Sequence, residues 1–161
     1  MSALQEAPLS LDALMADSAR ADCGALAIFA GTVRNHHEGR AVARLVYTAH
    51  AALAAEVIRE VEQEVQRLFP AKLCRIVHRL GALEIGETAI LIVVRTPHRA
   101  EAFAAAQYAI TQVKHRAPIW KEEFYPDGSS AFVQGCCLID EGDAHQHEHH
   151  ASQGHHHPGV E

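Results

Sequence analysis

No apolar run in this 161-residue chain approaches the roughly 20 residues that a helix needs to cross a bilayer. The first residues, Met1 to Leu9, carry Gln5 and Glu6 and no basic segment followed by an apolar one, so they do not read as a signal peptide. The four cysteines, Cys23, Cys74, Cys136 and Cys137, form no C-x-x-C pair, which argues against a zinc ribbon or a dithiol redox site. With no export signal, reduced thiols are the default. An excess of positive charge is also lacking. The net charge is −6, and five acidic residues from Asp140 onward are accompanied by no Lys or Arg. Without them, fifteen acidic residues face fourteen basic ones, so the body is near neutral and shows no general nucleic-acid footprint. The chain reads as soluble and cytoplasmic, with neither membrane nor nucleic acid as partner. Any anion site must be a small cluster.

Nearly half of the residues are apolar, enough for one real core at this length. Ser10 is placed to cap a short helix from Leu11 to about Arg20. Gly24 to Ala30 and Ala41 to Ala49 read as strands, and the polar loop from Gly31 to Gly39 would join them as a hairpin. From Ala51 to Phe69 the spacing predicts a helix, with Leu53, Val57, Val61, Val65 and Leu68 on its buried face and Pro70 at its end. Lys72 to Arg79 reads as a strand and Gly81 to Glu87 as a turn region. The continuous apolar run Ala89 to Val94 reads as a strand buried on both faces. A second long helix is expected from about Ala100 to His115, burying Phe103, Ala106, Ile110 and Val113. It stops at Ala117 because Pro118 follows. Ile119 to Tyr125 and Ala131 to Leu138 form a hairpin around Pro126-Asp127-Gly128. Helices and hairpins are interleaved with no repeated βαβ unit. The fold class is therefore α+β with a mostly antiparallel sheet, occupying residues 1–139. Residues 140–161 are polar, acidic and His-rich without apolar periodicity, and read as a disordered tail.

Basic residues gather where elements end. Arg34, Asn35, His36 and His37 follow the first strand. His98 and Arg99 open the second long helix, and Lys114, His115 and Arg116 close it. Lys121 stands just beyond Pro118 and Trp120. An arginine at a helix start opposes the dipole preference unless an anion bridges it to the N-terminal amides, so Arg34 and Arg99 are candidates to clamp a phosphate. A lysine held near other cations has a depressed pKa and serves as a base or nucleophile, which fits Lys114 beside His115 and Arg116. Taken singly, each residue has a plainer explanation. A terminal Arg or Lys is usually a solvated charge, His98 a turn or cap residue, and Trp120 a core anchor rather than a stacking plane. Composition and spacing alone support an anion site and nothing more specific.

Read in order, Phe29-Ala-Gly-Thr-Val-Arg-Asn-His, His78-Arg-Leu-Gly, His98-Arg-Ala-Glu-Ala-Phe and Lys114-His-Arg-Ala-Pro-Ile-Trp-Lys121 resemble the large-subunit family of molybdopterin synthase. The likeness covers about residues 20–135, and the first and last of these patterns are long and unusual. The resemblance implies an α/β hammerhead-type fold. It also implies a central homodimer within a heterotetramer, and a small ubiquitin-like sulfur-carrier subunit docked at each end. The carrier's C-terminal thiocarboxylate would enter a pocket and give two sulfurs in turn to cyclic pyranopterin monophosphate, making the dithiolene of molybdopterin. No metal, ATP or other cofactor is implied at this step.

By the same resemblance, Thr32, Val33 and Arg34 would line the substrate pocket, and His98 and Arg99 would bind the anionic precursor. Lys114 would be the catalytic lysine near the thiocarboxylate, and Lys121, with Glu122 and Glu123, would complete the pocket and share in catalysis. The sequence departs from the family pattern in three places. Glu122 stands where a second basic residue commonly follows the lysine, Thr48 where an acidic one is common, and Phe132 to Cys136 lacks a basic residue that some relatives carry. Cys136 and Cys137 read as small buried hydrophobes rather than a sulfur relay. The tail holds seven histidines, His145, His147, His149, His150, His155, His156 and His157, a composition that binds transition metals loosely. Two rivals therefore stand beside the transferase: a non-catalytic relative that only binds the carrier, and a metal-handling protein acting through the tail.

Overall fold

The structure is a computed structural model that describes residues 2–133. The proposed tail with its seven histidines, and Cys136 and Cys137, lie outside the described residues.

Two four-stranded sheets organise the chain. The first has the order β1 (Leu4–Gln5), β6 (Leu73–Arg79), β8 (Thr88–Thr96), β2 (Ala25–Thr32). Only the β1–β6 pairing is parallel, with Leu4 opposite His78; the others in this sheet are antiparallel. Helices α2 (Ala51–Leu68) and α3 (Arg99–Arg116) cover one face, and the short α1 (Leu11–Asp17) covers part of the other. Alternation then explains β8. Ile90, Ile92 and Val94 pack under α2 and α3, while Leu91 and Val93 meet Leu14 of α1. A strand covered on both sides has no polar face, hence its continuous apolar run. Ser10 caps α1, its Oγ accepting from the Ala13 N–H at 3.2 Å.

The second sheet has the order β10 (Ser130–Val133), β9 (Ile119–Phe124), β5 (Arg44–Ala49), β7 (Gly81–Glu84), all antiparallel. Its core gathers Val33, Val42, Leu45, Leu83, Ala89 and Tyr125. The chain passes from the first sheet to the second at Leu80–Gly81. The corner there needs φ +86° at Gly81, a conformation that suits glycine. The α+β, mostly antiparallel expectation holds. So do both long helices, β8 and, as far as Val133, the β9–β10 hairpin, whose turn closes with the Gly128 N–H donating to the Tyr125 carbonyl at 3.0 Å; the rest of the expected second strand lies outside the described residues.

Four expectations need correction. The strands on either side of the Gly31–Gly39 loop are not a hairpin. β2 pairs with β8 and β5 with β9 and β7, because β8 offers β2 a longer buried partner and the chain crosses between sheets in the loop. The loop itself holds a miniature ribbon, β3 (His36–His37) with β4 (Arg40–Ala41), turned at Glu38 and Gly39, both with positive φ. Part of the Gly81–Glu87 turn region is strand β7, held by Leu83, which is fully buried opposite Leu45.

The buried face of α2 is Ala54, Ile58, Val61 and Val65, leaving Leu53 and Leu68 47% and 52% exposed. The apolar arc is wider than one face, and α3 packing alongside selects which part is covered. On α3 the buried face is Ala102, Ala105, Ala106, Ala109 and Val113, while Phe103 is 70% exposed. Small side chains let this helix lie close on β2 and β8, where a phenyl ring would not fit. Arg116 ties the two helices together through Glu60 at 2.9 Å and Glu64 at 2.7 Å, and Tyr108 adds a bond to Glu64 at 3.1 Å.

Candidate active site

A cavity of about 390 Å³ opens where the end of β2, the C-terminal turn of α3 and the face of β9 meet. Each element delivers its side chains by its own period. On α3, Ile110, Val113 and Lys114 share one face at helical spacing and all line the cavity. On β9, Ile119, Lys121 and Glu123 alternate toward it. Thr32 and Arg34 enter from the end of β2, and the tight Glu38-Gly39 turn folds His36 and His37 over the rim. Tyr47 of β5 and His78 of β6 complete the wall.

The electrostatics are one-sided. Arg34, Lys114 and Lys121 bring three cationic side chains to a wall that holds one carboxylate, Glu123, itself only 2% exposed. Its Oε1 lies 2.9 Å from Lys121 Nζ. Its Oε2 lies 3.3 Å from His37 Nδ1 and accepts from the Tyr125 hydroxyl at 3.3 Å. Burial pulls this carboxyl upward, but the Lys121 bond and charge, with His37 and Tyr125, outweigh it and hold it below the usual range. Tyr125 is pushed up, first by burial and then by the Glu123 charge. His78 is 7% exposed, and its Nδ1 lies 2.8 Å from the Arg79 carbonyl, so that nitrogen carries the proton. Burial lowers its pKa to about 4, so the ring is neutral at physiological pH. Among the described residues no cluster of three or more His, Cys, Asp or Glu could hold a metal ion.

Of the residues singled out from sequence, Thr32, Arg34, Lys114, Lys121 and Glu123 come together here. Val33 does not face the cavity. It is buried in the second core and anchors the loop, its N–H on the Glu87 carbonyl at 3.0 Å and its own carbonyl accepting from Gly86 at 2.8 Å. Glu122 points to the opposite face of β9, where Ser130 Oγ donates to it at 2.7 Å. His98 and Arg99 are exposed at the far end of α3. Fifteen helical steps separate Arg99 from Lys114, about 22 Å at about 1.5 Å per residue. His115 and Arg116 follow Lys114 in sequence but not in space. Successive helical positions diverge by about 100°, and Arg116 is engaged with α2. The cations that share a cavity with Lys114 are Arg34 and Lys121 instead. Tyr47 and His78 had no assigned role. His78 stood inside a quoted pattern; for Tyr47, a strand aromatic, no sequence signal existed.

The chain has relatives among known proteins. A family model described as MoaE protein matches residues 4–116. The chain belongs to the MoaE family. It is 43% identical over 141 residues to the molybdopterin synthase catalytic subunit of Nostoc sp., covering 84% of this chain and 83% of that one. With the molybdopterin synthase catalytic subunit of Bacillus subtilis it shares 31% identity over 151 residues, covering 88% and 96%. Among solved structures, molybdopterin synthase from Staphylococcus aureus superposes with a TM-score of 0.78 at 31% identity, over 82% of this chain and 96% of that one. The MoaE-type fold anticipated from the sequence is thus the fold present. Among the described residues no helix is long and apolar enough to cross a membrane.

Proposed function

We propose that this MoaE-family chain is the catalytic subunit of a molybdopterin synthase and acts as a sulfurtransferase. The donor is the thiocarboxylated C-terminus of a small ubiquitin-like carrier subunit, and the acceptor is cyclic pyranopterin monophosphate. The observation that carries this reading is the convergence of Arg34, Lys114 and Lys121 on one cavity. A cyclic phosphate needs guanidinium and ammonium donors, and a thiocarboxylate is a second anion that must approach it. Attack by the thiocarboxylate sulfur forms a C–S bond on the pterin. The oxygen on that carbon departs with a proton, which Lys114 is placed to supply. Water then opens the acyl–sulfur bond, leaving sulfur on the pterin and a carboxylate on the carrier. Two such rounds give the dithiolene. A walled cavity suits this chemistry, because premature hydrolysis of the thiocarboxylate competes with transfer.

His98 and Arg99 fit the same reaction only if a second copy brings its α3 start to the cavity, since about 22 Å of helix separates them from Lys114 in one chain. Such a homodimer, carrying one carrier subunit on each chain, is part of this proposal. The rival reading as a non-catalytic relative is disfavoured because both cavity lysines are present. The test is conversion of the precursor by purified chain and thiocarboxylated carrier. Lys114→Ala should abolish product while the fold and dimer persist, and retained activity would remove Lys114 from its role. Mixing Arg99→Ala with Lys114→Ala chains should restore part of the activity, because each mixed dimer rebuilds one complete cavity. No recovery on mixing would place Arg99 outside the site.

A further inference from the structure

Several cavity side chains have no part in the reaction as described, His37 among them. His37 stands on the miniature ribbon, and its Nδ1 lies 3.3 Å from Glu123 Oε2. Despite its burial, the Lys121 bond and charge, and then the charge of His37, pull the Glu123 carboxyl below its ordinary range. The other carboxylate oxygen, Oε1, holds Lys121 Nζ at 2.9 Å. Tyr125 also donates to Oε2, from within the second sheet, with the Arg40 guanidinium 3.3 Å over its ring and Arg40 bound to Asp127 at 2.9 Å. The carboxylate is thus clamped from two sides, by the sheet through Tyr125 and by the ribbon through His37.

We propose that His37 is a positioning residue for Lys121. Its Nδ1, 3.3 Å from Oε2, fixes the rotation of the Glu123 carboxylate as a close polar contact, so that Oε1 stays on the Lys121 ammonium and aims it into the cavity. The physical reason is economical. A lysine stem has four rotatable bonds and loses a large entropy when ordered. A carboxylate that is itself immobile holds the ammonium far better than one free to turn. The remaining charges near His37 do not substitute for it. Glu38 is exposed and 4.0 Å from the far ring nitrogen, and Arg34 and Lys114 are cations that repel Lys121 rather than orient it. The value of this geometry for turnover rests on the proposed sulfur transfer; the geometry itself does not.

The experiment reads Lys121 twice. The first readout, in the chain alone, is the rate at which an amine-acylating reagent labels Lys121, followed by peptide mass spectrometry with exposed Lys72 as internal standard. The second is the kcat and KM of the complete synthase. His37→Phe keeps bulk and removes the polar nitrogen, whereas His37→Asn keeps a polar group near the Nδ1 position. We expect His37→Phe to speed Lys121 labelling by about tenfold and to lower kcat/KM by a similar factor, the size of one lost polar contact to a charged group. His37→Asn should restore both to within about threefold. If the phenyl ring lowers the melting midpoint, His37→Ala replaces it in the same comparison. Unchanged labelling in a folded variant that lacks the ring nitrogen, or failure of Asn to rescue, overturns the proposal. A labelling change in a chain that shows no sulfur transfer with wild-type residues leaves the positioning role standing and removes the enzymatic reading instead.

Discussion

Replacing His78 by Asn should change how the protein responds to acid, by an amount that follows from the site. The ring sits in the cavity wall, edge-on to Tyr47 at 5.0 Å between centroids, with Nδ1–H on the Arg79 carbonyl. Burial lowers its pKa to about 4, and the bond to the carbonyl offsets only part of that. In the unfolded chain the ordinary value is about 6.5. Above that value neither state holds the proton, and His78 adds no pH dependence. As pH falls through about 6.5, the unfolded chain takes up a proton that the native state refuses, so stability is lost. The loss stops when the native ring titrates near 4. At about 1.4 kcal/mol per pH unit across that gap, the loss is about 3 kcal/mol. Several carboxyls held low in the native state, Glu64, Glu87 and Glu123 among them, also cost stability as acid protonates them. They do so equally with and without His78. The assay is therefore a difference. Urea unfolding is followed by far-UV circular dichroism, since Trp120 is half-exposed and a poor reporter. It is run on wild type and His78→Asn from pH 7.5 to 4. The stability of wild type relative to the variant should fall by about 3 kcal/mol over that range. A difference that stays constant with pH would refute the reasoning, showing that the native ring titrates like an exposed one.

Three further outcomes follow from packing and from the chain ends. Ile58→Ala should cost about 2–5 kcal/mol in the same unfolding assay, and Leu53→Ala under about 1 kcal/mol, because Ile58 is fully buried and Leu53 half-exposed; equal losses would mean that the buried face of α2 is misplaced. Gly24→Ala should destabilise by about 1–3 kcal/mol, since its Cβ would stand 2.8 Å from the Pro97 carbonyl oxygen, a backbone atom that cannot step aside; a neutral result would show that the strand end is looser than described. Deleting residues 140–161 should leave sulfur transfer unchanged, and a loss of turnover would give the His-rich tail a role in the reaction rather than an accessory one.

Short-range chemistry was readable from the residues alone. Ser10 as a cap, Pro118 as a helix stop, the Pro126-Asp127-Gly128 turn and the apolar run of β8 each act through neighbours within a few positions, so their sequence pattern is their cause. The patterns around Arg34, Lys114 and Lys121 carried the family resemblance, and these residues do share one cavity. Tertiary structure decided what depends on distant partners. Strand pairing is non-local, so only the assembled sheets could show that β2 and β5 belong to different sheets and that Leu83 makes β7 a strand. An apolar arc wider than one helix face leaves its buried part to the neighbouring helix, which is why Leu53 and Phe103 are outside. Adjacency in sequence also misleads at the site. The helical turn sends Arg116 to α2 and away from Lys114, and strand alternation sends Glu122 to the opposite face from Lys121. The buried Glu123 acquires its partner His37 from a ribbon 86 positions earlier only because the fold brings that turn over β9.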